Sequence, residues 1–372
     1  MLPRSPDARR EVAIALPVKD EEDDLPACLA ALDAAAGRHA GPVFIVAFAN
    51  DCTDDSIALL RRWRPRHACL IWRAVSLLPG SRHAGWARRL AFDAAADLLG
   101  DDRAVLLSTD ADTQVAPDWI DRTIAHIDAG ADAVAGRALT RRADRRALGK
   151  RALRRLNQLG RYYTALDYLR AARAPEQHDS WPRHYYEGGA SIALTLGLYR
   201  RIGGAPTPSV AEDRALFDRV RAHGGRVRHP LDVRVFTSCR IAGRAPGGMA
   251  DTLARWIMQP ETERLHETYA VAAALDPARA GEEDQLTFRT LPHAIAEARR
   301  LIRRTRAGST PSPQIEPILL PPIGANDGDR VAETFRQPGN GIVPALGIVG
   351  FAQPVDEQDM AAGTHGARQP GR

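Results

Sequence analysis

The sequence predicts an α/β fold with a mostly parallel central sheet that carries helices on both faces. Between residues 12 and 136, short apolar runs alternate with amphipathic helical patterns, which is the spacing of successive strand–helix units. At 372 residues, the chain can bury a sizeable core in one large domain or two smaller ones. No apolar run approaches the roughly 20 residues of a membrane span.

The elements of this first half follow from the pattern in chain order. Uninterrupted apolar runs predict strands at Val12–Pro17, Val43–Phe48, Ala68–Arg73, Arg103–Ser108 and Ala133–Ala135. Helical periodicity between them predicts helices at Asp24–Ala36, Asp54–Trp63, Ala84–Leu99 and Pro117–Ala129. Gly100 and Gly130 follow the last two helices, as is typical of helix C-termini.

The second half of the chain is less regular. Strand-like runs at residues 188–195 and 227–237 flank a helix predicted at Ala211–His223. Residues 1–250 are expected to form the main domain, and residues 251–306 a helical C-terminal extension. From residue 307 to residue 372, proline and glycine are dense and helical periodicity is lost, so a flexible tail is expected.

Composition narrows the class of partner. The formal net charge of +5 and the pI of about 9.3 favour a negatively charged partner, but the excess is too small to predict nucleic acid. The four cysteines show neither a CxxC pair nor metal-ligand spacing, which favours reduced thiols in a cytoplasmic protein. The apolar run before Lys19 is short, and we expect a buried strand there rather than a signal peptide.

A dense basic segment lies in the middle of the chain. From Arg137 to Arg155, nine side chains are basic and only Asp144 is acidic. One interpretation is a helix face exposed to solvent. The other is a surface for phosphate or for an anionic membrane, which would hold the protein peripherally at the inner face of the membrane.

The most informative feature is a pair of carboxylates at the end of a predicted strand. The apolar run ends at Ser108, and Asp110 and Asp112 follow. In extended backbone, residues two positions apart point to the same side, so both carboxylates are expected to address one small volume. Like charges this close repel unless a cation lies between them, and a divalent cation with oxygen ligands is the natural candidate. The alternative is an ordinary acidic turn exposed to water.

Six short motifs lie at the predicted strand ends and loops of residues 12–240. In chain order they are Ile14–Glu22 (IALPVKDEE), Phe44–Ser56 (FIVAFANDCTDDS), Gly85–Arg89 (GWARR), Ser108–Thr113 (STDADT), Gly188–Ser191 (GGAS) and Ala211–Asp213 (AED). In order and approximate spacing, they resemble the motifs of family 2 glycosyltransferases. Members of that family have the Rossmann-like GT-A fold and move a sugar from a nucleotide donor.

The resemblance implies a nucleotide-diphosphate sugar as donor and a divalent cation, manganese or magnesium, as cofactor. By this resemblance, Asp112 is the direct metal ligand, while Asp110 meets the ribose or a metal-bound water. The domain then divides into a donor half, about residues 12–136, and an acceptor half, about residues 137–250. The acceptor is left open as a small metabolite, another sugar or a lipid phosphate.

Five further residues are candidates for donor binding. Pro17, Lys19 and Asn50 lie where the first two strands end, so they could hold the nucleotide base, and Glu22 could contact the ribose or the base. Arg88, early in its helix, could donate a charge-assisted hydrogen bond to phosphate. Each has an ordinary alternative, namely a strand-to-helix turn, acids that complement a helix N-terminus, or a surface arginine.

Glu212 and Asp213 are the candidates for the base that deprotonates the acceptor hydroxyl. Adjacent helical residues point in different directions, so the two are expected to do different jobs. Ser209-x-x-Glu212 fits a capping box, which assigns Glu212 to the helix start and leaves Asp213 as the base. Glu212 is also counted among the nucleotide-sugar-binding residues. Direct attack by the acceptor would invert the anomeric centre. The alternative is that both residues merely cap the helix.

Departures from the family pattern refine the prediction. Lys19-Asp20 stands where Arg-Asn or Tyr-Asn is common, and Asn50 stands where many members have aspartate. The Gln-x-x-Arg-Trp motif of processive members is missing, and Arg255-Trp256 supplies only its last two residues. We therefore expect metal-dependent, inverting, non-processive transfer of a single sugar. The alternatives are a nucleotidyltransferase on a related sheet, although the first turn lacks glycine, and a non-catalytic sugar-nucleotide-binding protein.

Overall fold

The computed structural model describes residues 10–241, 243, 248–276, 278 and 280–308. Within these residues the central sheet has seven strands in the order β3-β2-β1-β4-β8-β6-β9. Their bounds are β1 Val12–Val18, β2 Val43–Asn50, β3 Cys69–Val75, β4 Val105–Ser108, β6 Ala133–Ala135, β8 Ile192–Thr195 and β9 Val227–Arg228. Neighbours run parallel except at β8, which is antiparallel to β4 and β6. The predicted mostly parallel sheet is confirmed.

The helices pack on both faces of this sheet, as predicted. Their bounds are α1 Leu25–Ala36, α2 Ser56–Arg62, α3 Ala84–Ala96, α4 Trp119–Asp128, α5 Arg142–Ala147, α6 Gly149–Arg173, α7 Leu196–Arg201, α8 Glu212–Ala222, α9 Met249–Met258, α10 Val271–Leu275 and α11 Leu291–Gly308. Successive residues of β1 point to opposite faces. Ile14 and Leu16 therefore join one buried cluster with α1 and α4, while Ala13 and Ala15 join another with α3 and α8.

A second, three-stranded sheet joins distant parts of the chain. It has the order β5-β10-β7, formed by Thr113–Val115, Arg234–Thr237 and Arg137–Thr140. The pairing of Thr113 with Thr237 brings the segment after β10 next to the turn that contains Asp110 and Asp112, which we call the acidic turn. The strand-like run predicted at residues 227–237 divides into β9 and β10, because Pro230 lacks the backbone donor that a continuous strand needs.

The C-terminal extension contains a two-stranded sheet in addition to the predicted helices. Strand β11 Arg264–Tyr269 pairs antiparallel with β12 Gln285–Thr287. The extension covers α6, and the two share a third buried cluster that includes Leu159, Leu166 and Ala298. No helix among the described residues is both long enough and apolar enough to cross a membrane.

The basic segment does not form one helix face. It is divided among β7, α5 and α6, and its side chains have different environments. Arg141 forms an ion pair with Asp24, and Arg155 is buried, donating to the carbonyl of Trp256 at 2.6 Å with its guanidinium 4.2 Å from the Phe288 ring. The predicted flexible tail, residues 307–372, lies outside the described residues apart from the last two positions of α11.

Candidate active site

The candidate residues gather at the carboxyl ends of β1, β2 and β4. The strand order of this part of the sheet is β3-β2-β1-β4. The direction of the chain connections reverses between β1 and β4, so that the connections on either side leave to opposite faces of the sheet. In open α/β sheets, ligands bind in the crevice outside such a point. Lys19 follows β1, Asn50 ends β2, and Asp110 lies two residues beyond β4.

Arg88 connects the acidic strand end to the start of α8. Its buried guanidinium donates to Asp110 Oδ1 at 2.7 Å and to Glu212 Oε1 at 3.2 Å. It also donates to Ser108 Oγ at 3.0 Å and to the carbonyl of Gly189 at 3.2 Å. Burial alone would lower the pKa of Arg88, but the two carboxylates outweigh it and raise that pKa. The donors of this residue, predicted to meet phosphate, are thus engaged by the protein itself.

Gly189 separates Asp110 from Asp213. Its backbone N–H donates to Asp213 Oδ2 at 2.8 Å, and Arg214 N–H donates to Asp213 Oδ1 at the same distance. A Cβ atom at position 189 would lie 2.1 Å from Arg88 Nη2 and 3.2 Å from Asp110 Oδ1. Only glycine fits between these groups, so the two aspartates lie on either side of one backbone position.

The predicted capping box at the start of α8 is wrong. The N-cap is Ala211, which has a left-handed backbone (φ +60°) and makes no side-chain cap, so Ser209 lies too early in the chain to cap the helix. The left-handed residue turns the chain so that Glu212 faces Arg88 while Asp213 faces Gly189. Burial and the adjacent Glu212 raise the pKa of Asp213 to about 7.

Asp112 lies in a turn with Asp110 rather than in extended backbone. The Thr113 N–H donates to the carbonyl of Asp110 at 3.0 Å and closes the turn. The expected geometry is therefore wrong in detail, but the two carboxylates are still close. Burial and the Asp110 carboxylate raise the pKa of Asp112 to about 7.

Arg240 is the partner of Asp112 that the sequence did not reveal. Its Nη2 lies 3.3 Å from Asp112 Oδ2, 2.6 Å from Glu21 Oε1, and its Nη1 lies 3.3 Å from Asp24 Oδ2. One guanidinium is thus shared by three carboxylates. Only the pairing of β5 with β10 brings Arg240 here, and no local sequence signal predicts that pairing.

The loops after β1 and β2 are fastened to each other. Lys19 Nζ donates to the backbone carbonyl of Asp51, and Glu22 Oε2 accepts from the Asp55 N–H at 2.9 Å. Ligand atoms of Asp20, Cys52 and Asp54 lie within 4.8 Å of one another, as in a metal site. Asp20 also accepts from the Thr53 N–H at 2.6 Å, a bond that joins the loops without any ion.

Asn50 keeps an unused acceptor at this crevice. The residue is 6% exposed, and its Oδ1 is buried without a hydrogen-bond partner among the described residues. Buried polar atoms are nearly always bonded, so an unpaired carbonyl beside a crevice fits a ligand that brings a donor. Pro17, the penultimate residue of β1, is partly exposed on the neighbouring strand, where it pairs with Phe48.

A family model described as Glycosyl transferase family 2 matches residues 13–178 of the chain. The resemblance to family 2 glycosyltransferases is confirmed over these residues. The matched region contains Arg88, Asp110 and Asp112, while Gly189 and the Glu212-Asp213 pair lie beyond its end. A search of curated proteins by sequence gave no match.

The chain is similar, at low sequence identity, to several solved structures. The mannosyltransferase PcManGT from Pyrobaculum calidifontis, in complex with GDP-Man and Mn²⁺, is 18% identical over 82% of this chain and 78% of its own, with a TM-score of 0.43. S. aureus TarS 1-349 is 12% identical over 67% and 70%, with a TM-score of 0.40. Glucosyl-3-phosphoglycerate synthase from Mycobacterium tuberculosis, in complex with UDP, is 18% identical over 69% and 84%, with a TM-score of 0.39.

A cavity of about 2300 Å³ is bounded in part by α8. We call it the α8 cavity. Its wall includes His83, Ala211, Arg214, Arg221, His229 and Glu267. Its volume exceeds the roughly 300–1,000 Å³ of ordinary small-molecule sites.

A buried ionic network supports one wall of the α8 cavity. His229 Nδ1 lies 2.7 Å from Asp179 Oδ2, and its Nε2 lies 2.9 Å from Glu187 Oε1. Burial lowers the pKa of His229, but the two carboxylates outweigh it and raise that pKa above its ordinary value. Burial likewise opposes ionisation of Asp179, but hydrogen bonds from His229 and Arg228 hold its pKa well below its usual value. The members of this network lie on separate segments of the chain, so no local sequence signal predicts it.

Proposed function

We propose that the protein transfers a single sugar, with inversion, from a nucleotide-diphosphate donor to an acceptor hydroxyl, with a divalent cation as cofactor. The observation that carries the proposal is the bridge from Asp110 through Arg88 to Glu212, with Asp213 on the far side of Gly189. This bridge joins the donor-side motif, within the matched family region, to the Glu-Asp pair beyond it.

The acidic turn fits a divalent cation such as manganese or magnesium. Burial and three nearby carboxylates, those of Asp110, Glu21 and Asp24, raise the pKa of Asp112 more than Arg240 lowers it. The acidic turn therefore has an excess of negative charge. Carboxylate oxygens are the ligands that hard cations prefer. Asp110 and Asp112 would hold the ion, which would neutralise charge on the diphosphate leaving group.

The donor base is assigned to the crevice between the β1 and β2 loops. Asn50 Oδ1 would accept a hydrogen bond from the base, and Pro17 would pack against it. Lys19 and Glu22 hold the two loops together, so their contribution is to shape this crevice. Arg88 orients Asp110 and Glu212 and does not need to contact phosphate to do so.

Asp213 is assigned as the base that takes the proton of the acceptor hydroxyl. The raised pKa, about 7, suits a base that works near neutral pH. Two backbone N–H groups fix its carboxylate, so the lone pair that accepts the proton has a defined direction. Glu212 is held by Arg88 and is not available for the same step. Attack by the acceptor on the face opposite the diphosphate inverts the anomeric centre.

Thermal shift measurements with a panel of nucleotide-diphosphate sugars, with and without manganese, test the donor assignment. A true donor raises the melting temperature, because a ligand that binds only the folded state stabilises it by mass action. Asp213→Asn should keep this shift and lose transfer by roughly a hundred-fold to ten-thousand-fold. Asp97→Asn, an exposed carboxylate at the end of α3 and away from the cavity lining, serves as the matched control and should keep both. Absence of any nucleotide-sugar shift would overturn the proposed function.

A further inference from the structure

Arg240 is held at the acidic turn chiefly by Glu21. Its Nη2 donates to Glu21 Oε1 at 2.6 Å, and its Nη1 donates to Glu21 Oε2 at 3.0 Å. Such a bidentate pair fixes the orientation of the guanidinium. The Glu21 side chain is 9% exposed, and its backbone N–H donates to Ser56 Oγ at 2.8 Å. The positive charge of Arg240 is therefore fixed in place without a contribution from Asp112.

Asp112 turns one of its carboxylate oxygens toward this guanidinium. Its Oδ1 accepts hydrogen bonds from the hydroxyls of Thr113 and Thr237, both at 3.3 Å. Its Oδ2 lies 3.3 Å from Arg240 Nη2, a longer contact than the one that Nη2 makes with Glu21. Any cation that binds to Oδ2 of Asp112 therefore comes next to a fixed positive charge.

Arg141 is a second arginine of the same acidic cluster. Its Nη1 lies 2.5 Å from Asp24 Oδ1, while Arg240 Nη1 lies 3.3 Å from Asp24 Oδ2. The two guanidinium groups thus share Asp24, but of the two it is Arg240 that also contacts Asp112. Asp24 keeps a cationic partner when Arg240 is replaced, so the loops of the site do not depend on Arg240 alone.

A fixed positive charge at this place treats free metal and metal bound to a diphosphate differently. It repels a divalent cation that approaches by itself. It does not repel the complex of that cation with a nucleotide diphosphate, because the phosphates offset the charge of the ion. The Arg240 side chain is 28% exposed, so water and salt weaken the repulsion without removing it.

We propose that Arg240 keeps free divalent cations from Asp112, so that the site accepts the cation together with the nucleotide diphosphate. This rests on the proposed function, in which Asp110 and Asp112 hold the ion. Arg240 then determines which form of the metal the acidic turn accepts. The donor brings its own cation, and the chain does not fill with metal in the absence of a donor.

The test measures Mn²⁺ binding by the full chain, from the decrease in the electron paramagnetic resonance signal of the free ion. Each protein is titrated with Mn²⁺ alone, and with Mn²⁺ in complex with whichever of UDP, GDP and ADP the parent binds most tightly. Arg240→Gln should bind Mn²⁺ alone at least about tenfold more tightly than the parent, because the repulsion at Asp112 is gone. Its affinity for the complex should be unchanged or weaker.

Three further variants separate the charge of Arg240 from other effects of its loss. Arg240→Lys keeps the charge and an ion pair with Glu21, so it should fold and keep the weak parental binding of Mn²⁺ alone. Arg141→Gln, the matched control, removes a cation from Asp24 and should tighten the binding of Mn²⁺ alone by less than about threefold. Asp112→Asn in the Arg240→Gln background should erase the gain, since the additional affinity is located at Asp112.

The outcomes distinguish this inference from the proposed function. If Arg240→Gln binds Mn²⁺ alone no more tightly than the parent, or if Arg141→Gln gives an equal gain, the role of Arg240 is overturned while the metal site stands. A gain in Arg240→Lys equal to that in Arg240→Gln would also overturn it, because the charge would not be the cause. If the parent binds no Mn²⁺ even with a nucleoside diphosphate, the metal-dependent transfer proposed above fails, and the role of Arg240 fails with it.

Discussion

Replacement of Arg88 by methionine should disturb the site more than any other single change. The guanidinium, 6% exposed at its side chain, neutralises Asp110 and Glu212 together. Methionine keeps most of the volume and removes the charge, leaving two carboxylates without their shared cation. Removal of one partner from a buried pair typically costs about 3–5 kcal/mol. Because the Asp110 side chain is 36% exposed and water can reach it, we expect the lower end, about 3 kcal/mol.

Urea denaturation of the full chain at neutral pH measures this cost. The midpoint should fall with an unchanged slope, since the surface exposed on unfolding stays the same. The same loss of stability corresponds to a decrease of roughly 6–12 °C in the melting temperature. Glu212→Gln in the Arg88→Met background should restore part of the stability, because it removes the carboxylate left unpaired. Arg62→Met, an exposed arginine at the end of α2, is the control and should be nearly neutral.

The opposite pattern would show that the reasoning about Arg88 is wrong. If Arg88→Met unfolds at the parental urea concentration but loses its affinity for nucleoside diphosphate, Arg88 is a phosphate ligand. That result would restore the role predicted from the sequence and remove the bridge as a structural element.

The remaining predictions concern the base, the acidic turn, the ionic network and one glycine. The transfer rate of the parent should rise with pH through about 7, because Asp213 accepts a proton only when ionised, and a flat pH–rate profile would exclude it as the base. Asp112→Asn should abolish manganese-dependent binding of nucleoside diphosphate in calorimetry without lowering the melting temperature, since it removes one of several close negative charges; unchanged binding would refute the metal assignment. His229→Gln should lower the free energy of unfolding, measured by urea denaturation across pH, most between about pH 4 and 6.5. Because the pKa of His229 is raised in the folded state, its contribution to stability is complete below the unfolded pKa and is lost as pH rises. Because the pKa of Asp179 is lowered, its contribution is complete above the unfolded pKa and is lost as pH falls. Gly189→Ala should cost about 1–3 kcal/mol because its Cβ meets Arg88, whereas Gly100→Ala, which meets nothing within 4 Å, should be neutral; equal effects would argue against the tight packing at Gly189.

The sheet and its acidic edge could be predicted because their signals are local. Runs such as Val43–Phe48 are apolar without interruption and are bounded by polar turns, so both the strand and its end can be read from adjacent residues. The same holds for Asp110 and Asp112, whose place just beyond β4 follows from the preceding apolar run. Their backbone conformation was missed, because a turn and an extended segment share these residue types.

The partners of these residues could not be predicted, because topology decides them. Arg88 meets Glu212 across 124 positions, and Arg240 meets Glu21 across 219. A charged residue has many possible partners of opposite sign in a chain that is 26% charged, and only the strand order selects one. The capping box failed for a related reason, since the left-handed backbone at Ala211 is imposed by its surroundings rather than by alanine.

The shared core of α6 and the C-terminal extension has a consequence for synthesis on the ribosome. Leu166 of α6 packs in one cluster with Ala298 of α11, about 130 residues later in the chain. Translation adds roughly 5–20 residues per second, so on the order of ten seconds pass between the synthesis of α6 and the synthesis of α11, which packs against it. During that time its apolar side is exposed to other nascent chains, so premature termination before α11 should give aggregated protein. Folding of α6 thus depends on the last helix of the extension to be synthesised. Pulse-labelled nascent chains should become resistant to protease only after α11 has left the exit tunnel.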